Sequence, residues 1–133
     1  MSITLSVGAT SVALPADLYW SDELAWHPVG QSATRSVTGA LIVQVQATTT
    51  AGRPITLAPP VELASWLPRS VLLQLRAWAD VPGQVMQLQL HGALRDVMWR
   101  HQDGEVITTR PVMPQEGVAP EDAYTATLKL MEV

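Results

Sequence analysis

Apolar and polar residues alternate with period two through much of this chain, and one stretch carries helical spacing. Ile3–Leu14 alternates loosely and holds β-branched residues, which predicts a first strand or hairpin arm closed by Pro15. Asp17–Val29 has no sustained period; with Trp20, Trp26, acids and a proline it predicts a strand or loop whose tryptophans pack locally. Ser36–Thr50 gives the clearest strand signal: after Gly39, Val43, Val45 and Ala47 share one face while Gln44, Gln46 and Thr48 share the other. That is the pattern of a half-buried strand. Ala51–Pro54 predicts a turn, Ile55–Leu57 starts a short strand, and Pro59-Pro60 ends it.

Residues 66–80 are the helical stretch. Leu67, Val71, Leu75 and Trp78–Ala79 recur at helical spacing, and Leu72 widens the stripe. Ser65 stands where an N-cap belongs, and Pro68 is tolerable in a first turn, where its missing N–H has no partner to lose. Arg69 and Arg76 fall near one another along this helix, and Val81-Pro82-Gly83 stops it. Strict alternation then returns over Gln84–His91, with Met86, Leu88 and Leu90 on one face, and over Leu94–His101, where Trp99 shares a face with Val97. Asp103-Gly104 signals a hairpin leading into a strand over Glu105–Val112. Met113–Pro120 reads as a loop, and Tyr124–Val133 as a closing strand with Tyr124, Ala126, Leu128 and Leu130 on one side. With no repeat and no linker, the pattern predicts one α+β domain over residues 1–133. Its expected architecture is mainly an antiparallel β-sandwich or partly closed barrel with one packed α-helix.

Composition narrows the function classes. The chain has 133 residues, of which 47% are hydrophobic, so folding buries roughly two thirds of the extended surface without staples. That apolar fraction is high for a small domain, which leaves both a well-filled core and a partner-covered surface open. No cysteine is present, so disulfides and thiolate metal sites are excluded. Met1–Val7 has no basic n-region or apolar h-region, so no secretory leader is expected, and no apolar run is long enough to predict a membrane span. The net charge is −4, with seven scattered arginines and the single Lys129, which lacks the basic footprint of a nucleic-acid binder. Neutral or acidic walls do suit a channel through which DNA slides without sticking.

Catalytic chemistry finds little support. His27, His91 and His101 fall in no metal-ligand spacing; His91 and His101 can approach across a turn, but two histidines alone make a weak site. Asp22–Glu23 and Glu121–Asp122 are adjacent acids on extended chain and point opposite ways. There is no nucleophile elbow and no phosphate-cradling glycine loop. No enzyme activity, catalytic residue, metal or cofactor is expected. Five tryptophans and no phenylalanine are more telling. Trp66 and Trp78 are expected in the helix as core or helix–sheet contacts, and Trp99 in the core. Trp20 and Trp26 are candidates for an interface anchor or a sugar platform, or else for covering their own domain's edge.

Several ordered segments together carry a resemblance: Ser36–Val43, Gly52–Leu57, the Trp66-led helix, Met86–His91, Val97–His101 and Tyr124–Val133. In that order, over roughly residues 36–133, the chain resembles the tube–baseplate adaptor (ripcord) proteins of contractile-tailed phages. It is also similar in plan to the N-terminal ring domain of distal tail proteins. The resemblance implies a virion protein that forms a homohexameric ring with copies of itself, contacts tail tube and baseplate or hub proteins, and surrounds the lumen through which DNA passes without specific binding. The length favours a thin adaptor over a receptor-binding hub. The candidate contact residues are Trp20, Trp26, Arg53, Trp66 and the loop 113–121 with Pro114 and Glu116. The alternative is a carbohydrate- or peptide-binding β-sandwich using Trp20 and Trp26 as its platform.

Overall fold

The structure is a computed structural model, and it describes residues 3–47, 51–62, 64–112 and 119–133. Strands β1 (Ile3–Val7) and β2 (Thr10–Leu14) form the expected first hairpin. Next to β1 lies β8 (Val85–Leu90), which pairs in turn with β9 (Ala93–Trp99). Only His91 and Gly92 separate these two strands, and both have positive φ, 51° and 76°. Two such residues make the primed turn whose twist matches the flanking strands.

The closing strand β11 (Ala123–Glu132) is the hub of the sheet. One of its edges is shared end to end by β9, against Leu130–Glu132, and by β10 (Ile107–Pro111), against Tyr124–Leu128. Its other edge takes β6 (Pro54–Ala58) and the short β7 (Leu67–Pro68), and β3 (Tyr19–Trp20) lies beyond β6. The main path therefore runs β2-β1-β8-β9-β11-β6-β3.

Chain connectivity forces this sheet to curl. Seven strands in a flat row would span ~29 Å at ~4.8 Å per step. The two end strands are joined by the link from Leu14 to Tyr19, which reaches at most ~18 Å. The curled sheet wraps one face around a single cluster. Ile3 and Leu14 from one end, Leu18 and Trp20 from the other, and Met86, Leu88, Leu90, Val97, Trp99, Leu128 and Leu130 from the middle all belong to it. The result is a sandwich-like α+β fold in which β2 and β3 are not paired, so the sheet does not close as a barrel.

One helix, α1 (Arg69–Ala79), packs on this core through Leu72, Leu75 and Trp78. It begins later than the spacing predicts. Leu67–Pro68 pairs with Ala123–Tyr124 of β11, so Pro68 is the N-cap residue with extended backbone. Ser65 does not cap the helix: it sits at φ 60° and donates its hydroxyl to Asp17 Oδ1 at 3.0 Å. The first helical N–H groups are met by backbone instead, Arg69 N–H donating to the Asp122 carbonyl and Ser70 N–H to that of Pro120. Trp66 consequently lies ahead of the helix and is 59% exposed, not a core contact. The Asp103-Gly104 hairpin is also absent: a 3-10 turn at His101–Asp103 redirects the chain so that β9 and β10 both pair with β11, not with each other.

The largest departure concerns Ser36–Thr50. Among the described residues its strand, β5 (Leu41–Ala47), pairs only with β4 (Val29–Arg35), and the two form a separate two-stranded sheet. No residue of β5 is buried on either face, against the half-buried strand expected from its alternation.

Candidate assembly interface

The β4–β5 hairpin is an arm. Its register runs without a break from Val29↔Ala47 to Arg35↔Leu41. The tip is a five-residue loop in which Ser36 N–H donates to the Ala40 carbonyl and the Ser36 hydroxyl accepts from Ala40 N–H. Gly39 there has φ 86°, a conformation that favours glycine. Local chemistry thus specifies the arm's shape, but no arm residue enters the core cluster. Val29, Leu41, Ile42, Val43 and Val45 are all between 45% and 64% exposed. Its charge is confined to Arg35, whose guanidinium donates to the Gly39 carbonyl.

The arm's root is held far more firmly. Trp20 lies just before it and is 3% exposed, with its indole N–H donating to the Pro54 carbonyl. Two guanidinium groups lie over its ring, Arg53 at 4.6 Å and Arg95 at 5.2 Å, and the His91 ring tilts against it at 5.8 Å. Each cation–π contact contributes about 0.5–2 kcal/mol, depending on desolvation. Arg53 also donates to the Glu23 carbonyl, while the Glu23 carboxylate sits 3.0 Å from His91 Nδ1.

A second anchor lies one residue earlier in the turn. Asp22 accepts from both the backbone N–H and the hydroxyl of Thr56, at 3.1 and 2.8 Å. Buried Arg100 stands behind it, donating to Thr56 Oγ1 at 2.8 Å and to the Leu130 carbonyl at 3.3 Å. Its guanidinium is 3.8 Å from Asp22 Oδ2 and 3.1 Å from Asp103 Oδ2. The adjacent acids Asp22 and Glu23 lie in a turn, not on extended chain, and still diverge to different partners, Thr56 with Arg100 and His91. Neither forms a catalytic pair with the other.

These placements sort the residues expected at an interface. Trp20 is enclosed by its own chain and offers no platform for a sugar or partner. Trp26 is half-buried in the arm's root, and Arg53 is half-buried over Trp20. Trp66 is exposed on the surface. Pro114 and Glu116 lie outside the described residues. His91 and His101 do not meet: one is in the β8–β9 turn with Glu23, the other in the 3-10 turn. Among the described residues no group of three or more histidines and acids is placed to hold a metal ion. No described helix is long and apolar enough to cross a membrane.

Two features escaped the sequence reading. Strand β4, Val-Gly-Gln-Ser-Ala-Thr-Arg, carries no alternation to mark it as a strand, and none of its residues is buried. Arg100 gave no signal beyond sharing a periodicity with Leu94 and Met98. No protein-family model matches the chain, and no curated protein matches it.

Proposed function

We propose that this chain is a non-enzymatic structural subunit that assembles with copies of itself into a ring, the ring that joins a phage tail tube to its baseplate around the DNA channel. The observation that carries the assembly reading is the arm. A lone two-stranded hairpin is at best marginally stable in water, and this one buries no residue against its own domain. An apolar-rich arm of this kind, with Arg35 as its single charge, is stabilised when a partner covers it. Its firmly anchored root, by contrast, fixes where it leaves the domain, which suits a repeating contact better than a tether.

The tail reading draws its support from the ordered resemblance set out above, from the sandwich-plus-helix architecture, and from a net charge of −4 compatible with a non-sticking lumen. Cyclic symmetry accounts for how single arms become a closed set of contacts. Native mass spectrometry of the purified chain across concentration tests the reading. A discrete hexamer is expected. A strict monomer at every concentration, with tryptophan emission that responds to glycans, would sink it in favour of a carbohydrate-binding module.

A further inference from the structure

The arm's root borders a cavity of about 620 Å³ whose lining includes Asp17, Tyr19, Glu23, Leu24, Pro60 and His91. Its charge is one-sided. Asp17 and Glu23 are its acids, and no arginine or lysine lines it; Arg53 and Arg95, which lie over the Trp20 ring, are outside the lining. His91 meets Glu23 Oε2, and Ser65 donates to Asp17 Oδ1. Glu23 Oε1 and Asp17 Oδ2 are left without a partner among the described residues. Other grooves are balanced. The one beside α1 sets Arg69 and Arg76 against Asp80 and Glu105, and the one lined by Glu62 and Arg110 already pairs them.

The arm's tip carries the complement. Arg35 is the arm's only charge, and its bond to the Gly39 carbonyl holds it at the tip. Beside it Val37 is fully exposed, and the cavity's Leu24 is 84% exposed; these are the two most exposed large apolar residues among those described. The tip cannot turn back onto its own root, because the seven pairs of the unbroken hairpin hold the two ~23 Å apart. We infer that the tip of one copy's arm seats in the root cavity of the next copy, with Arg35 between Asp17 and Glu23 and Val37 against Leu24, Tyr19 and Pro60. The inference rests on the self-assembly reading and names its receiving surface. Complementary charge fixes the register of such a contact, and the apolar pair covers the two side chains that each copy leaves most in water. A tip-to-root contact also makes the arm's length the spacing between copies. The ~23 Å of paired strand plus the loop approaches the ~30 Å diameter of a small domain. Because tip and root are different surfaces of one chain, the contact is head-to-tail and propagates until a rotation closes it.

The absence of cysteine makes the test clean. Thr38→Cys at the tip is mixed with Ala25→Cys in the cavity's lining under mild oxidation; both sites are exposed, and Arg35, Val37 and Leu24 stay in place. A disulfide needs Cβ atoms ~3.5–4.5 Å apart, so it forms where tip and cavity meet. A reducible heterodimer should appear in at least tenfold excess over a mixture of Thr38→Cys with Thr109→Cys, an exposed control in the groove beside α1. Adding Arg35→Glu to the Thr38→Cys chain should cut the link at least tenfold. Preferential linkage to Thr109→Cys, or a link that Arg35→Glu leaves unchanged, would overturn the inference. Native mass spectrometry of the unmodified chain separates the two failures. Oligomers without a link to Ala25→Cys reject the tip as the occupant of this cavity and leave the assembly reading standing; monomers with no link reject both.

Discussion

Replacing Arg100 with methionine tests whether the arm's root is held by a charge that the fold must keep paired. Methionine fills much of the same space but removes the donors to Leu130 and Thr56 and the cation facing Asp22 and Asp103. Hydrogen bonds from a charged group contribute about 1.5–3 kcal/mol each, and breaking a buried pair costs about 3–5 kcal/mol. The Asp22 and Asp103 side chains are 24% and 62% exposed, so water compensates part of the loss. The lower end applies, about 3 kcal/mol. At ~2.1 cal/mol/K per residue, unfolding 133 residues gains ~0.28 kcal/mol/K, and the midpoint should fall by about 11 °C. Differential scanning calorimetry at one fixed low concentration keeps assembly out of the comparison. Asp103→Ala, which removes only the exposed partner, should cost less than ~1 kcal/mol, or under ~4 °C. If Arg100→Met moves the midpoint by less than ~4 °C, or Asp103→Ala matches it, the buried guanidinium does not hold the root as argued.

Two further outcomes follow from the same contrast between core and arm. In the dilute monomer, backbone amides of Val29–Ala47 should exchange with little protection, while those of β8 and β11 approach the global unfolding limit; equal protection in hydrogen exchange would mean that the arm is stable alone. Trp20→Ala should destabilise by about 3–5 kcal/mol, and denaturant titration would expose an error if the loss were below ~1 kcal/mol, the range expected for a surface tryptophan.

How much of this was readable beforehand depends on which face each residue meets. In β8 the alternation of Met86, Leu88 and Leu90 against Gln87 and Gln89 predicts burial correctly, because one face meets the core and the other meets water. In β5 the same alternation misleads, because it records a face that no part of its own domain covers. Periodicity reports that a face is apolar; it carries no information on whether the cover comes from the same chain. The helix stripe was legible at Leu72, Leu75 and Trp78, yet its start was not: Pro68 pairs with β11, a long-range contact no local signal encodes. Trp20 failed as a platform for the same reason. Two arginines distant in sequence, Arg53 and Arg95, converge on its ring only once the sheet has curled.

Removing the arm separates folding from assembly. Replacing residues 30–46 with Asn-Gly, so that Val29 and Ala47 flank a two-residue turn, keeps the pair that already stands opposite at the arm's base. The core loses nothing, since none of its buried residues comes from the arm. Ordering the backbone of each arm residue costs about 1–2 kcal/mol, a cost the hairpin's own hydrogen bonds barely offset, so the shortened chain should melt within about 2 °C of the full one in dilute solution. Its assembly should nonetheless be lost, leaving a monomer in native mass spectra at concentrations where the full chain forms oligomers. A fall of more than about 10 °C would make the arm part of the fold, and rings formed without it would make the arm incidental to assembly. Retained stability with lost assembly is the combination that a partner-covered hairpin requires, because the surface it leaves exposed on one copy is then buried only by another.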